Sequence, residues 1–333
     1  MIMNTIRYAY PSARIRGMKS YLLSKEKITE LLRADDIDGF LELLSDTYYS
    51  DIIADLKEAS VTGIERILLH DLFNTLEKVF LMSPKNSKQL FFTILKYYEI
   101  QFIKEIISKK INNENINVEI FPSRNKLLLE GIAKSAAFDE ILNLLMENEY
   151  IKLDSQQVSE PMELLFYLDK YFYMKLFNVL SSVDKRAMHL IGPEFDFLNL
   201  VLILRFKNLG INDKSIIQNY LVPGYKVGEL DGLISAESIE NVVSILEDSP
   251  YNRPLSDGLR FYAEKKSLLG FEISFKRFLK RRYERVFFGY PFSIAFPLAY
   301  IRLKENEIRN LRSILIGIAY GIDKDEMENL LVI

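Results

Sequence analysis

The 333-residue chain contains no cysteine, two histidines, 14 glycines and 10 prolines. Without cysteine there is neither a disulfide framework nor a thiolate metal site. An all-β or α/β chain of this length would need more glycine and proline in its turns, so the composition favours helices. Because 49% of the residues are apolar, the chain is globular and not disordered. We therefore predict an all-α protein that is helical over nearly its whole length.

The sequence also lacks the motifs that carry most enzyme chemistry. His70 and His189 lie far apart, and neither has a second His or Cys at metal-ligand spacing. Phosphate-binding loops of the GxxxxGK[ST] or GxGxxG type are missing, as are GxSxG and CxxC motifs. Asp35, Asp36 and Asp38 are clustered where a helix should begin, so capping explains them better than a metal site. We predict no catalytic residue, no metal and no cofactor.

No apolar run approaches the roughly 18–20 residues that a membrane-spanning helix needs. The longest ones, Phe197 to Phe206 and Tyr290 to Ile301, are shorter than that, and we predict that both are buried core helices. The first residues lack the apolar core of a signal peptide. The sequence therefore predicts a chain without a membrane span.

What the chain does contain is one segment that occurs three times. Asp36 to Tyr49, Ala137 to Tyr150 and Ser238 to Tyr251 align at a constant offset of 101 residues. Their shared apolar positions fall at i, i+3, i+4 and i+7, as in a helix that packs one face on a core. All three also share an acid in the first turn, which the helix dipole favours, and a final tyrosine. The shared apolar residues are Ile37, Phe40, Leu41 and Leu44; Phe138, Ile141, Leu142 and Leu145; and Ile239, Val242, Val243 and Leu246.

The repeat extends beyond this helix. A second helix looks equivalent in the three copies: Ile100 to Ile107, Leu198 to Leu204 and Arg309 to Leu315. At the start of the first helix, Asp36 and Ser238 suit the N-cap position, whereas Ala137 does not. Each copy is then a multi-helix bundle of roughly 110 residues, a normal domain size. We predict three helical repeats at residues 1–118, 119–219 and 220–333.

The net charge of −3 is unevenly distributed. Between Arg260 and Arg312 the chain has 13 Lys or Arg against 5 Asp or Glu, a local net charge of +8. The excess is densest in residues 276–285, where basic residues four apart share helix faces. This region is either a solvated surface or a docking face for an acidic partner or anionic headgroups.

The chain resembles a known family over essentially its whole length. The stretch from Tyr8 to Leu23 is similar to the Tyr-rich, Ala-Arg-x-Arg opening helix of the C subunit of the archaeal and bacterial A/V-type rotary ATPases, a relative of the d subunit of the vacuolar ATPase. Leu31 to Tyr49 is similar to the next element of that family, and Lys304 to Gly317 is the most specific match. Ile316 and Ile318 depart from the pattern, since basic residues are expected beside that glycine.

The resemblance implies both a shape and a role. Proteins of this family consist of three similar helical bundles around a pseudo-threefold axis and are shaped like a funnel. They lie at the cytoplasmic face of the cell membrane as peripheral proteins of the central stalk. The funnel sits on the membrane rotor ring of proteolipid subunits and receives the central-shaft subunits in its mouth. It passes torque in a proton- or sodium-translocating complex, performs no chemistry, and has neither a small-molecule substrate nor a nucleic acid as partner.

We predict that partners bind two basic surfaces. The residues are Arg14, Arg16 and Lys19 on the first helix, and Lys276, Lys280, Arg281, Arg282 and Arg285 in the third repeat. Arg309 and Arg312 either join them or hold helices together by pairing with buried carboxylates. The alternative function is a soluble helical scaffold that binds nucleic acid or another acidic partner through the basic third repeat, although the sequence pI near 5.7 disfavours nucleic acid. An all-α enzyme with a site between bundles is a weaker alternative.

Overall fold

The computed structural model describes residues 2–56, 58–152, 158–228 and 230–333, with side chains from residue 6 onward. Within these residues the regular structure consists of seventeen α-helices and two short 3-10 helices, which confirms the all-α prediction.

The helices follow the order of the three predicted copies. The first copy contains α1 (Ile2–Lys19), α2 (Lys25–Leu31), α3 (Ile37–Leu44), α4 (Ser50–Ala54), α5 (Val61–Met82), a 3-10 turn (Lys85–Ser87), α6 (Lys88–Ile111) and a second 3-10 turn (Val118–Ile120). The second contains α7 (Lys126–Lys134), α8 (Phe138–Glu147), α9 (Pro161–Val183), α10 (Lys185–Asn208) and α11 (Lys214–Tyr220). The third contains α12 (Leu230–Ser235), α13 (Ile239–Ile245), α14 (Asn252–Lys265), α15 (Leu269–Val286), α16 (Ala295–Tyr320) and α17 (Lys324–Leu330).

The repeated segment forms a helix in each copy, and α3, α8 and α13 begin at equivalent positions. The side chains of Asp36 and Ser238 accept the N–H groups of the third helical residue, so both are N-caps as predicted. Ala137 provides no side-chain cap; instead Glu140 reaches back and accepts the Ala136 N–H at 2.9 Å. The weaker cap predicted for the second copy is therefore compensated by an acid in the first turn.

The last residue of the apolar stripe is buried in every copy. Leu44 and Leu145 have no exposed surface, and Leu246 is 6% exposed. Each packs in the cluster formed by its own helix and the neighbouring long helices. The stripe therefore has the core role that its spacing predicts.

Replacing Leu44, Leu145 or Leu246 by alanine should lower the free energy of unfolding by roughly 2–5 kcal/mol each, because each change leaves a cavity in a close-packed core. Urea denaturation with a helical circular-dichroism signal measures this. Leu127→Ala is the matched control, since Leu127 is 81% exposed and its truncation should cost less than about 0.5 kcal/mol. A loss below about 1 kcal/mol at one of the three positions would show that this position is not an equivalent core site.

A pair of long helices forms the second half of each copy. The pairs are α5 with α6, α9 with α10, and α15 with α16, and the helices of each pair pack against each other. Only a few residues connect the helices of the first two pairs, and residues 287–294 connect those of the third. At the far end of α16 a side chain at Gly317 would meet the Met327 sulfur at 1.8 Å, so glycine lets α17 pack closely on α16.

In the part of the chain that the structure describes, one helix is long and apolar enough to cross a membrane by length and composition alone. This helix is α10, whose apolar window is longer than the run from Phe197 to Phe206 that the sequence indicated. Of that window 67% is buried inside the protein.

Candidate functional site: contacts between the copies and the basic surfaces

Each repeated tyrosine is buried and donates a hydrogen bond to a buried carboxylate. The Tyr150 hydroxyl lies 2.5 Å from Glu99 Oε2, and the two residues are 4% and 5% exposed. The other carboxylate oxygen accepts the Arg124 backbone N–H and the Ser123 hydroxyl, both at 3.0 Å. Donors on both oxygens offset the hydration that this carboxylate loses on burial.

Tyr251 repeats this arrangement in the third copy. Its hydroxyl donates to Asp196 Oδ2 at 2.5 Å, and both residues are almost fully buried. The two oxygens of Asp196 accept the backbone N–H groups of Tyr225 and Lys226, each at 2.7 Å. An aspartate therefore plays the same role on α10 that Glu99 plays on α6.

Tyr49 makes the third contact, and a buried lysine adds to it. The Tyr49 hydroxyl donates to Glu307 Oε1 at 2.6 Å, while Glu307 Oε2 accepts the Leu23 N–H at 2.5 Å. Lys304 Nζ lies 2.7 Å from the Tyr49 hydroxyl, 3.0 Å from Glu307 Oε1 and 2.9 Å from Asp71 Oδ2. Lys304 is 2% exposed, so its charge is balanced by the two carboxylates and not by water.

These three Tyr–carboxylate contacts connect the copies in a closed cycle. Two sets of residues in these contacts keep the 101-residue offset. They are the tyrosines (Tyr49, Tyr150 and Tyr251) and the residues whose backbone N–H groups bind the carboxylates (Leu23, Arg124 and Tyr225). The carboxylates come from the preceding copy: Glu99 from α6 of the first, Asp196 from α10 of the second and Glu307 from α16 of the third. The second copy thus contacts the first, the third contacts the second, and the first contacts the third.

Burial keeps these tyrosines protonated and able to donate. It is the largest cause of the raised pKa of Tyr49, Tyr150 and Tyr251, and the neighbouring carboxylate raises each pKa further. Each hydroxyl therefore stays neutral and able to donate throughout the neutral pH range.

A second contact occurs beside two of the carboxylates. Asn199 donates to the Val222 carbonyl and accepts the Val222 N–H, both at 2.9 Å. Asn310 makes the same pair of bonds with Val332, both at 3.1 Å. The segment after α17 therefore lies on α16 in the same manner as the segment after α11 lies on α10.

Helices of all three copies line a cavity of about 210 Å³. Tyr97 on α6, Glu194 on α10, Tyr283 on α15 and Arg302 on α16 face it. Arg302 donates from Nε and Nη2 to the two oxygens of Glu194 at 2.9 and 2.7 Å, and the Tyr283 hydroxyl donates to Glu194 at 2.7 Å. Burial lowers the pKa of Arg302, but Glu194 and Glu305 raise it above the usual value, so the guanidinium stays charged. This ion pair joins α10 of the second copy to α16 of the third.

The predicted basic residues of α1 lie beside the connection between α15 and α16. Arg14 and Arg16 are exposed, and Lys19 is half-buried. The Arg16 guanidinium is 5.5 Å from the centre of the Phe296 ring, and Lys19 Nζ is 5.0 Å from that of Phe287. These cation–π contacts orient two of the three side chains while their charges stay near the surface.

The predicted basic residues of α15 point to different sides of the helix. Lys276 and Lys280 line the 210 Å³ cavity, and each pairs with a glutamate on its own helix. Burial is the largest cause of the lowered pKa of Lys276, followed by the nearby charge of Arg309. Arg281 and Arg285 are exposed. Two of these basic residues therefore line a cavity, and the other two lie on the protein surface.

Two further arginines of α15 contact backbone carbonyls of the protein. Arg277 donates to the carbonyl of Leu331 at 2.9 Å, and Arg282 donates to that of His189 at 2.9 Å. Of these two, Arg282 was predicted to contact a partner, and the structure places it between α15 and α10. The position of a residue along one helix cannot reveal this, because the neighbouring helix comes from another copy.

Arg312 and Arg309 differ in their surroundings. Arg312 Nη2 lies 2.9 Å from Glu65 and joins α16 to α5, but the two side chains are 38% and 22% exposed, so the carboxylate is not a buried one as predicted. Arg309 lies 4.0 Å from Glu305 on its own helix and faces the 210 Å³ cavity. Ile316 is 36% exposed at the surface where the resemblance led us to expect a basic residue.

Sequence reasoning did not single out the three carboxylates. Glu99, Asp196 and Glu307 stand one or two residues before the helical segments that the repeat aligned. An acid shared just upstream of these segments was the available signal. Within the described residues, no group of three or more His, Cys, Asp or Glu side chains is placed to hold a metal ion.

The repeated helices, with contacts that close on themselves, define an all-helical repeat protein whose copies are joined in a cycle. Residues 11–330 match the model of the family described as ATP synthase (C/AC39) subunit. The chain therefore belongs to this family.

Several relatives that match nearly the whole chain are each named as the C subunit of an A-type ATP synthase. The one from Thermococcus kodakarensis is 28% identical over 328 residues, which cover 96% of this chain and 88% of the relative. The one from Pyrococcus horikoshii is 29% identical over 318 residues, covering 92% and 85%. The one from Methanocaldococcus jannaschii is 26% identical over 355 aligned positions, covering 100% and 88%.

Proposed function

We propose that the chain is a non-catalytic central-stalk subunit of an A/V-type, proton- or sodium-translocating ATP synthase, and that it couples the central shaft to the membrane rotor ring. The observation that carries this proposal is the closed cycle of Tyr–carboxylate contacts in a chain of the ATP synthase (C/AC39) subunit family. A body closed in this way can receive torque at one end and deliver it at the other.

The geometry we propose is three helical bundles around a pseudo-threefold axis, forming a funnel. Two observations support it. Each copy contacts the preceding copy through equivalent residues, as a rotation by one third of a turn would produce. In addition, helices of all three copies line one cavity of about 210 Å³, as they would around an axis.

Torque transmission requires a body that does not yield between its parts. Close-packed cores resist deformation, and the tyrosines and carboxylates add buried polar contacts between the copies. Such contacts require defined positions of donor and acceptor, so they oppose sliding of one copy along the next. The way in which the copies are joined therefore supports the proposed role.

The partners we propose are the central-shaft subunits and the proteolipid subunits of the rotor ring, at the cytoplasmic face of the membrane. The names of the relatives support this, since each is a subunit of an A-type ATP synthase. Lys276, Lys280, Arg281 and Arg282 remain our proposed contacts with these subunits, and Arg281 offers the simplest test because it is exposed and predicted to contact a partner.

The decisive experiment is reconstitution of the rotary complex with and without this chain. Without it, we expect ATP hydrolysis to continue while ion transport driven by hydrolysis is lost, and adding the purified chain should restore transport. Coupled transport in the absence of the chain would refute the proposal. So would a chain that binds neither shaft nor ring but binds nucleic acid tightly and with steep salt dependence.

A charge-reversal pair tests the predicted contact surface. Arg281→Glu should weaken binding to the shaft or the ring by about tenfold or more, because a like charge then faces the partner's acidic groups. Lys134→Glu is the control, since this lysine is exposed on α7 in the second copy. Equal affinities of both variants for shaft and ring, measured by pull-down titration, would remove Arg281 from the contact surface.

A further inference from the structure

Helix α1 contacts two of the three connections between paired long helices and lies near the third. Tyr8, 2% exposed, hydrogen-bonds Ser87 in the α5–α6 connection and lies near Asp184, between α9 and α10. The Ser12 hydroxyl donates to the carbonyl of Pro291 in the α15–α16 connection at 2.7 Å. One face of α1 therefore lies against two of the connections and near the third, so the three connections lie together at one end of the protein.

The opposite face of α1 and its surroundings expose large apolar side chains. Ile6 is 73% and Tyr10 65% exposed on α1, one helical turn apart. In the α15–α16 connection Phe288 is 90% and Tyr290 41% exposed. A cluster of large apolar side chains exposed on a protein surface marks an interaction site, because water is a poor environment for them.

This end of the protein is also strongly basic. We define the α1 end as residues 6–19, 83–88, 183–189 and 285–296. These segments contain one acidic residue, Asp184, in a chain whose net charge is −3. Their basic residues are Arg7, Arg14, Arg16, Lys19, Lys85, Lys88, Lys185, Arg186 and Arg285.

We propose that the α1 end lies on the bilayer and binds anionic phospholipid headgroups. Tyrosines, together with other exposed aromatic rings, favour the headgroup level of a membrane, and clustered Lys and Arg side chains are attracted to its negative surface. The α1 end exposes aromatic rings and basic side chains together, on α1 and on the three neighbouring segments. This inference deepens the proposed function and rests on it for the presence of a membrane beside the chain.

Two charge reversals test the electrostatic part. Arg14→Glu combined with Lys185→Glu changes two exposed cations, one on α1 and one at the start of α10. Each unit of charge near an anionic surface changes the affinity about fivefold, and the two reversals change four units, so the double variant should bind anionic vesicles roughly 600-fold more weakly.

The matched control reverses two exposed cations that lie near the far ends of α6 and α10, Lys134 on α7 and Lys265 on α14. Lys134 neighbours Ala133, whose carbonyl accepts a hydrogen bond from Lys110 in the last turn of α6. Lys265 lies in the last turn of α14, where Tyr262 donates to Asn208 at the end of α10. Since α6 and α10 each extend about 36 Å, Lys134→Glu with Lys265→Glu should leave vesicle binding within about twofold.

A second pair of variants tests the aromatic part. Phe288→Ser should weaken binding to anionic vesicles by about tenfold, because the exposed ring no longer enters the headgroup region. Tyr320→Ser is the control, since Tyr320 is 80% exposed but lies at the opposite end of α16. It should leave binding unchanged.

The measurement is co-sedimentation of the full chain with vesicles of phosphatidylcholine alone and of phosphatidylcholine mixed with phosphatidylglycerol. We expect binding to the mixed vesicles only, reduced by salt, with the loss confined to the α1-end variants. Equal binding to both vesicles, no binding to either, or equal loss in the control variants would overturn the inference. Helical circular dichroism of every variant shows that a loss of binding does not come from unfolding.

The rotor ring in detergent, without added phosphatidylglycerol, separates this inference from the proposed function. If the chain binds that ring and Arg14→Glu with Lys185→Glu abolishes the binding, while anionic vesicles are not bound, the surface belongs to a protein partner and the lipid inference is wrong. The proposed central-stalk role would then still stand. Failure to bind ring and shaft, by contrast, would refute that role whatever the vesicles show.

Discussion

Replacing Lys304 by methionine will lower the free energy of unfolding by about 3–5 kcal/mol, the typical cost of breaking a buried ion pair from one side. Methionine preserves most of the side-chain volume, so little of the loss comes from a cavity. The loss comes instead from Asp71 and Glu307, which lie 2.9 and 3.0 Å from the ammonium group. Without it, two buried negative charges face each other beside Tyr49.

A surface lysine provides the control for this prediction. Lys324 pairs with Asp35 at 2.6 Å, but the two side chains are 49% and 90% exposed, so Lys324→Met should cost less than about 1 kcal/mol. Adding Glu307→Gln to Lys304→Met removes one uncompensated charge and should recover part of the stability. Urea denaturation of the four proteins completes the comparison. A cost below about 1 kcal/mol for Lys304→Met would show that the buried charges are compensated in another way.

The position of Lys304 explains why so costly an arrangement occurs at one contact. The contact of Tyr49 with Glu307 is the one that joins the third copy back to the first. The residue three positions before the carboxylate differs in the other two copies. Before Glu99 it is Lys96, which is half-buried and whose Nζ lies 4.8 Å from the centre of the Tyr150 ring. Before Asp196 it is Pro193. The cycle thus has its most extensive polar contact where the chain returns to its first copy.

The repeat was predictable because its first half keeps a constant offset. The stripe ending at Leu44, Leu145 and Leu246, the two N-caps and the three tyrosines all follow from residue spacing and elementary helix chemistry. The all-α class follows from the same periodicity together with the low glycine and proline content. Local regularities of this kind are visible in a single sequence.

The partners of the tyrosines were not predictable in the same way. The number of residues between the tyrosine and the carboxylate of the same copy differs among the three copies. In addition, Tyr49 contacts the carboxylate of the copy farthest along the chain, Glu307. A search at constant offset therefore misses these acids. The intramolecular surroundings of the basic residues of α15 present the same difficulty, because Arg282 contacts the backbone of α10 and Lys276 faces a shared cavity. Which side of a helix is covered depends on another copy, and one helix alone does not contain that information.

Replacing all three repeated tyrosines by phenylalanine should have the largest effect on stability. We expect it to lower the free energy of unfolding by about 5–9 kcal/mol. Each single change removes a hydrogen bond to a charged group and leaves a buried carboxylate short of one donor, which costs about 1.5–3 kcal/mol. The three contacts use separate carboxylates, so their costs should add. Tyr49→Phe should cost more than Tyr150→Phe or Tyr251→Phe, because Lys304 also loses its hydroxyl partner.

Urea denaturation of the three single variants and the triple variant measures these costs, with Tyr320→Phe as the control. Tyr320 is 80% exposed, so its hydroxyl bonds to water in both states and its loss should cost less than about 0.5 kcal/mol. Similar costs at Tyr150 and Tyr251 would mean that the repeated residues do equivalent work in joining one copy to the next. If one contact carried nearly the whole loss, or if the triple variant lost less than about 1 kcal/mol, the cycle would be a repeated pattern without a repeated energetic role. The proposed stiffness of the protein would then have to come from apolar packing alone.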